Sequence, residues 1–363
     1  MIAVDAKWMS GSMRGMGRFA WQLIRPVRDQ VMALSPAGTR VEGLQSVESG
    51  RGFFPLWEQY HLPRLVRQRK PDILLCPYNT GPLWRVKTPT LVVVHDLIFM
   101  RSWKELPPSR SFYQTLGRYY RRRVVPRMVR KAQHIITVSK YTRRELIDKL
   151  GVAASNVTVI PNAIGDEWFR EEPLPLENRQ PYLFTVAGEA PSKNVPALIA
   201  AFAQARQKAL LSRDITLVIG GIPSARHDYY RHLSRSEGLV DDDVTFEGYL
   251  TVEELKDRYR LARGFVFASL FEGFGIPPLE ALASGTPVAC SNTTSLPEVV
   301  GEHARLFDPS DIQDMAMSMA TLCNDSDALD FERRVQAGRG HARAFSESSV
   351  EKTITRFWER FQC

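Results

Sequence analysis

Cysteine is scarce: the 363 residues hold four, Cys76, Cys290, Cys323 and Cys363, widely scattered and without a C-x-x-C pair. That spacing argues against a disulfide framework and a thiolate zinc site, and it fits a reducing cytoplasm. Long apolar runs are missing too. No stretch offers about 18 uncharged apolar residues, so no membrane-crossing helix is expected. The opening M-I-A-V-D-A-K-W carries a charge at its fifth residue and has no apolar core, unlike a cleaved secretory leader. The histidines show no ligand spacing and the carboxylates no cluster, so neither a metal nor a cofactor is expected. Internal repeats and low-complexity tracts are also absent, which excludes a solenoid or a compositionally disordered chain.

What remains is an ordinary globular composition, 44% hydrophobic, in a chain long enough for two domains of about 150 residues each. Apolar runs alternate with helical segments, the pattern of a parallel sheet covered on both faces. I-A-V-D-A opens the series, D-I-L-L-C-P-Y and T-L-V-V-V-H-D follow, and H-I-I-T-V-S-K ends in Ser139, placed to cap a helix. A second series runs through Y-L-F-T-V-A-G, I-T-L-V-I-G-G, V-T-F-E-G, G-F-V-F-A-S and T-P-V-A-C-S. Between them D-E-W-F-R-E-E-P-L-P-L-E-N-R-Q-P, rich in charge and proline, reads as a linker. The expected organisation is a first domain over 1–165, a linker over 166–180 and a second domain over 181–345. Near the end, Ile354, Phe357, Trp358 and Phe361 fall at i, i+3, i+4 and i+7, an apolar helical stripe that must pack somewhere.

The densest chemistry lies in S-L-F-E-G-F-G-I-P-P-L-E-A-L-A-S-G-T, residues 269–286. Glu272 falls in a strand-to-helix loop and Glu280 in the early turns of a helix with proline in its first turn. Gly273, Phe274, Gly275 and Ile276 bring backbone amides to that helix start, where glycine permits close approach and the positive dipole end suits a phosphate. Glu280 can then accept hydrogen bonds from vicinal hydroxyls such as those of a ribose, with Glu272 facing what lies beyond the phosphates. The competing reading is a tight turn, a proline helix start and two solvated glutamates. In open parallel sheets ligands bind beyond the carboxyl ends of the strands, which is the address of His95 and Asp96 after V-V-V. A structural histidine and a turn-holding aspartate are the alternatives there.

These motifs, in this order, resemble the retaining glycosyltransferases of family 4 over nearly the whole chain. Glu272 and Glu280 match the family's E-x7-E pair. G-S-M-R-G-M-G-R-F resembles its glycine-rich first loop, with Gly15, Gly17 and Arg18; V-V-V-H-D-L resembles its sugar-facing strand end. P-S-K-N-V-P-A-L-I-A-A-F, with Ser192, Lys193 and Asn194, resembles its lysine-bearing phosphate loop, and V-T-F-E-G-Y-L, with Tyr249 and Leu250, its base-side loop. The resemblance implies an α/β chain of GT-B fold: two Rossmann-like, doubly wound parallel-sheet domains facing across a cleft. It also implies an acceptor-binding first domain, to which a helix at about 346–363 crosses back, and a nucleotide-sugar-binding second domain. Implied roles are donor positioning for Glu272, ribose binding for Glu280, a donor-sugar hydrogen bond for His95 with Asp96 beside it, and a cation on the diphosphate for Lys193. One departure is that Gly188 stands where many members carry an arginine. Arg18 either joins Lys193 on the diphosphate or is a solvated helix arginine.

The implied reaction is metal-independent transfer of a hexose, mannose from GDP-mannose first, to a lipid-linked oligosaccharide or saccharide acceptor in bacterial surface-polysaccharide assembly. Rhamnosyl, other deoxyhexosyl and glucosyl transfer are the alternatives. Charge adds a second signal. Residues 1–165 hold 27 Lys and Arg against 10 Asp and Glu, a net +17, which leaves −9 for the rest of a chain of net +8. Seven basic residues and no acidic one lie between Arg118 and Lys131, and four more follow Pro63. Such interleaved basic and apolar residues suit an anionic membrane surface at the inner face of the cytoplasmic membrane, or else form a solvated helix face whose apolar side is core. Nucleic acid is not expected, because no DNA- or RNA-binding module is present and the glutamate pair would have no task. An epimerase or phosphorylase of the same fold, and a catalytically silent relative, complete the alternatives; the oligomeric state is open.

Overall fold

The computed structural model describes residues 1–10, 15–83, 86–108, 112–324 and 328–361, so residues 11–14 of the first loop and Cys363 lie outside the described residues. The chain divides into two compact units. Unit 1 comprises 1–102, 110–163 and 347–363; unit 2 comprises 103–109 and 164–346.

Unit 1 is built on seven parallel strands: β1 (Ile2–Asp5), β2 (Val31–Ser35), β3 (Gln45–Glu48), β4 (Ile73–Cys76), β5 (Thr90–Val94), β6 (His134–Thr137) and β7 (Val157–Val159), in the order 3-2-1-4-5-6-7. Unit 2 has six: β8 (Gln180–Val186), β9 (Thr216–Gly220), β10 (Val244–Phe246), β11 (Ala262–Phe267), β12 (Val288–Ser291) and β13 (Ala304–Phe307), in the order 10-9-8-11-12-13. Both orders are doubly wound, and each reverses once, between β1 and β4 and between β8 and β11. At such reversals the loops beyond the strands diverge and leave a crevice.

The central strands are buried on both faces, as their unbroken apolar runs demand. The sequence reading omits β2, β3, β7 and β13: three are short edge strands, and β2 is a five-residue apolar run directly after a helical turn. Ser139 caps Lys140–Leu150, its Oγ accepting from the Thr142 amide at 3.0 Å. Within the segment read as a linker, Trp168 and Arg179 are buried in unit 2, and Arg179 donates to the carbonyls of Leu174, Ala262 and Gly285. Ile354, Phe357 and Trp358 of the helix Glu347–Glu359 are buried in unit 1. There the Trp358 indole donates to the Leu23 carbonyl at 2.7 Å, and Arg25 pairs with Glu347 and Glu351.

The basic run divides by function. Arg118 is buried and its guanidinium donates to the carbonyls of Phe99, Arg101 and Ser102, while Arg122 donates to those of Met100 and Arg101. These two arginines tie the helix Phe112–Val129 to the turn after β5. Val124, Val125, Met128 and Val129 face the core, and Arg123, Arg127, Arg130 and Lys131 are exposed.

Candidate active site

Adjacent parallel strands β8 and β11 deliver two loops to one place at the reversal of unit 2. After β8 the turn Pro191–Lys193 leads through Asn194, in a left-handed conformation (φ 56°), into the helix Val195–Gln207. After β11 the loop runs to Gly275 and the helix Ile276–Ala283, with Pro277 and Pro278 in its first turn. The Leu270 amide donates to the Ser192 carbonyl at 2.7 Å, with Ser269 Oγ 3.0 Å from the same oxygen, which locks the loops together.

Lys193 Nζ lies 2.7 Å from Glu272 Oε1 and 5.1 Å from the centre of the Phe267 ring. Ser269 Oγ donates to the same Glu272 oxygen at 2.6 Å. The Glu272 amide donates to Thr294 Oγ1, and Ser295 Oγ donates to the Phe274 carbonyl at 2.7 Å and lies 3.1 Å from that of Glu272. The sequence reading passes over Thr294 and Ser295, because they act through backbone bonds, for which spacing carries no signal. Glu280 is 8% exposed and accepts from the Tyr259 hydroxyl at 3.3 Å. Glu280 is thus buried, and Glu272, with its side chain 18% exposed, is held by two other side chains, which counts against two fully solvated glutamates. Gly275 has φ 117°, and a Cβ there would stand 2.5 Å from Leu296 Cδ2, so the turn requires glycine.

Around this centre Gly188 opens onto free space, with nothing within 4 Å of where a Cβ would stand. Beside it Glu189 pairs with Arg226 at 3.1 Å, and Arg226 stacks on Tyr229 with 4.4 Å to the ring centre, a cation that the sequence reading passed over. Tyr249 is 81% exposed, while Leu250 leans over Gly220, where a Cβ would come within 2.9 Å of Leu250 Cδ1.

The other site candidates lie in unit 1. His95 follows β5 and is 8% exposed; its Nε2 meets the Pro77 carbonyl at 2.8 Å, and Phe19 packs edge-on to its ring at 5.2 Å. Burial pushes its pKa down to about 4, so the ring is neutral near pH 7. A carbonyl only accepts, so the proton sits on Nε2 and Nδ1 is left as an acceptor. His95 can therefore receive a hydrogen bond from a hydroxyl but has no second N–H to give. Asp96 Oδ1 accepts from the Ile98 amide at 3.0 Å and holds the turn. Gly15 and Arg18 are exposed and Gly17 buried on the helix Gly15–Ile24. Among the described residues no group of His, Cys, Asp and Glu is arranged to hold a metal ion, and no helix is long and apolar enough to cross a membrane.

Known proteins match this chain in both halves. Residues 15–168 match the family model of Glycosyltransferase Family 4, and residues 166–340 that of Glycosyl transferases group 1. The chain is 31% identical over 256 residues to the serotype-specific mannosyltransferase WbdA of Escherichia coli, a match that covers 67% of this chain and 30% of that enzyme. It is 27% identical over 272 residues to the O-antigen chain mannosyltransferase RfbU of Salmonella typhimurium, covering 73% of this chain and 69% of the relative. The chain thus spans under a third of WbdA and about two thirds of RfbU. Among solved structures, Anabaena HepE in complex with UDP and glucose superposes with a TM-score of 0.72 at 18% identity over 99% of both chains. Sucrose-phosphate synthase from Thermosynechococcus elongatus gives 0.74 at 18% identity over 99% of this chain and 98% of that one. With a family model on each half and this fold, the chain belongs to the glycosyltransferases of group 1 and family 4 and has their GT-B architecture.

Proposed function

We propose that the protein is a retaining hexosyltransferase that moves mannose from GDP-mannose to a lipid-linked or saccharide acceptor in surface-polysaccharide assembly. The observation that carries this reading is the meeting of Lys193 and Glu272 at the β8–β11 reversal, 2.7 Å apart on two interlocked loops. An ammonium has three N–H donors, so Lys193 can keep Glu272 and still offer two protons to a diphosphate. Cleaving the sugar–phosphate bond builds negative charge on the leaving diphosphate. A cation fixed there beforehand lowers the barrier, together with the amides of Gly273, Phe274, Gly275 and Ile276. Glu272 then holds the hexose, Glu280 the ribose, and unit 1 the acceptor. Mannose is favoured by the mannosyltransferase names of the relatives WbdA and RfbU. The HepE structure carries UDP and glucose instead, which makes UDP-glucose the comparison donor.

The test is a thermal-shift screen of GDP, UDP, dTDP and ADP with their sugar conjugates, followed by transfer assays with and without EDTA and assignment of the product anomer. A nucleotide at a hundred times its Kd adds about 2.7 kcal/mol to stability. No shift with any nucleotide sinks the reading. In the same screen Gly188→Arg, for which the backbone has room, is expected to leave the melting temperature unchanged and to tighten diphosphate binding by about tenfold, the worth of one charge-assisted hydrogen bond. Equal or weaker binding would place Gly188 away from the phosphates.

The acceptor reading includes a peripheral contact with an anionic membrane at the inner face of the cytoplasmic membrane. Its support is the exposed set Arg123, Arg127, Arg130 and Lys131 together with Arg64, Arg67, Arg69 and Lys70. At about 1 kcal/mol per basic side chain near such a surface, liposomes containing anionic lipid should float with the protein and neutral ones should not. Replacing Arg123, Arg127, Arg130 and Lys131 by Gln should abolish flotation. Failure of the unaltered protein to bind anionic liposomes removes the contact.

A further inference from the structure

Three consecutive hydroxyls, those of Thr293, Thr294 and Ser295, meet the loop that carries Glu272. Thr293 Oγ1 donates to the Leu270 carbonyl at 3.3 Å, Thr294 Oγ1 accepts from the Glu272 amide at 3.2 Å, and Ser295 Oγ donates to the Phe274 carbonyl at 2.7 Å. Alternate residues of the loop are thus held by successive residues of the turn that follows β12. The base of this turn is firm. Ser295, Leu296, Val299 and Val300 are buried, and His341 Nε2 meets the Val299 carbonyl at 2.8 Å, which pins the far end of the helix Leu296–Val300.

The backbone of Thr294 is unusual for its side chain. The Leu296 amide closes the turn on the Thr293 carbonyl at 3.2 Å, and Thr294, the first of the two central residues, has φ 55°. A positive φ at that position is ordinarily supplied by glycine, asparagine or aspartate. Among the described residues Thr294 is the only β-branched one with a left-handed φ, where a branched side chain crowds its own backbone. The neighbouring left-handed positions 285 and 301 both use glycine. Strain of this kind persists where the surroundings require it, and it gathers at functional sites. Glycine at 294 would relieve the strain but would bring no oxygen to the Glu272 amide.

We propose that Thr294 is a positioning residue for Glu272, kept in a conformation that favours glycine because the Glu272 amide needs its oxygen. That bond fixes the backbone from which the carboxylate extends. Lys193 and Ser269 both bond Glu272 Oε1, which leaves Oε2 for a hydroxyl of the hexose. With the amide released, the backbone at Glu272 can turn and the carboxylate loses its fixed direction, the kind of small misplacement that lowers turnover. The following loop is held separately, by Ser295 on the Phe274 carbonyl and by Leu296 against Gly275, so the amides offered to the diphosphate stay in place. The effect on turnover deepens the transferase reading above and rests on it; the hold on the Glu272 amide does not.

The experiment compares Thr294→Gly and Thr294→Ser in the full chain, at a temperature where circular dichroism shows both folded. Thr294→Gly should lower kcat about tenfold, the worth of one hydrogen bond, and leave calorimetric binding of the nucleoside diphosphate unchanged. Thr294→Ser keeps the oxygen and should turn over like the wild type. Relief of the left-handed strain should let Thr294→Gly melt no lower than the wild type, whereas a hydroxyl with a purely structural task would lower the melting temperature and spare kcat. In a Glu272→Ala background Thr294→Gly should cost nothing further, because its effect passes through the missing carboxylate. By NMR, the Glu272 amide should exchange with solvent about tenfold faster in Thr294→Gly and at the wild-type rate in Thr294→Ser. The proposal is overturned if Thr294→Gly keeps wild-type kcat, loses diphosphate binding in step with kcat or melts lower, if Thr294→Ser is equally impaired, or if Glu272 amide exchange does not change. A wild-type chain inactive with every donor sinks the transferase reading and leaves the amide exchange to decide the role of Thr294.

Discussion

Lys193→Ala and Glu272→Ala are each expected to lower turnover about a hundredfold to a thousandfold, the usual cost of removing one preorganised transition-state contact. The fold should survive both. The pair is partly exposed, with side-chain exposures of 27% and 18%, and such ion pairs add little to stability, about 1 kcal/mol or less. In Lys193→Ala, Glu272 keeps the Ser269 hydroxyl at 2.6 Å, so its carboxylate is not stranded. The two losses should divide differently between binding and chemistry. Lys193→Ala should weaken nucleoside diphosphate binding as well as turnover, whereas Glu272→Ala should leave diphosphate binding intact and reduce turnover alone. Because the two groups touch, the double variant should lose less than the product of the single effects. Initial rates with a saturating donor, beside calorimetric binding of the diphosphate, decide the matter. Near-normal turnover in both folded variants rejects the site. Lys193→Arg is not expected to rescue, since a planar guanidinium on a longer stem cannot reproduce the compact contact with both Glu272 and the Phe267 ring.

The outline of this molecule was legible in the sequence wherever local pattern decides the outcome. Near-continuous apolar runs became β1, β4, β5, β6, β8, β9, β11 and β12, because strands covered on both faces need no polar alternation. Glu272 and Glu280 fell in a loop and a helix because Gly275 and the two prolines punctuate the chain there. What the sequence did not disclose is the fate of charges buried by distant backbone. Arg118 and Arg122 sit in a run that reads as a uniform cationic surface, yet carbonyls at Phe99, Met100, Arg101 and Ser102 turn both inward. Those carbonyls are free to accept only because the chain turns after β5. Glu58 is the extreme case: in P-L-W-E-Q-Y-H it looks like a solvated helix residue, but it is 1% exposed. Its partners Thr80 and Tyr120 come from segments 22 and 62 residues away. No local periodicity encodes such contacts.

Glu58 gives the second large effect, on stability. Burial pushes its pKa up to about 8 from an ordinary 4.5, against the opposing pull of the Thr80, Tyr120 and Gln59 hydrogen bonds, with the nearby Asp5 charge adding to the rise. Asp5 is pushed up to about 6, again chiefly by burial, although the Trp57 indole donates to it at 2.9 Å. A carboxyl whose folded pKa is raised binds more protons in the folded chain than in the unfolded one. Stability is therefore greatest below the unfolded value and falls as pH rises through the folded one. His95 acts in the opposite sense: held down at about 4, it makes stability rise with pH up to its unfolded value of 6.5. Between pH 6.5 and about 8 the Glu58 contribution is clear of that opposition. At ~1.4 kcal/mol per pH unit the loss across this window is about 2 kcal/mol, or a fall of several degrees in melting temperature. Glu58→Gln keeps an acceptor for Thr80 or Tyr120 and cannot ionise, so its curve should run flat over the same window. Subtracting the two curves removes the groups that do not interact with Glu58; Asp5 and Lys7, which do, stay in the difference. If the melting temperatures of wild type and Glu58→Gln fall in parallel from pH 6.5 to 8, Glu58 is already ionised in the folded chain, and its cluster with Thr80, Tyr120 and Gln59 carries a charge instead of a proton.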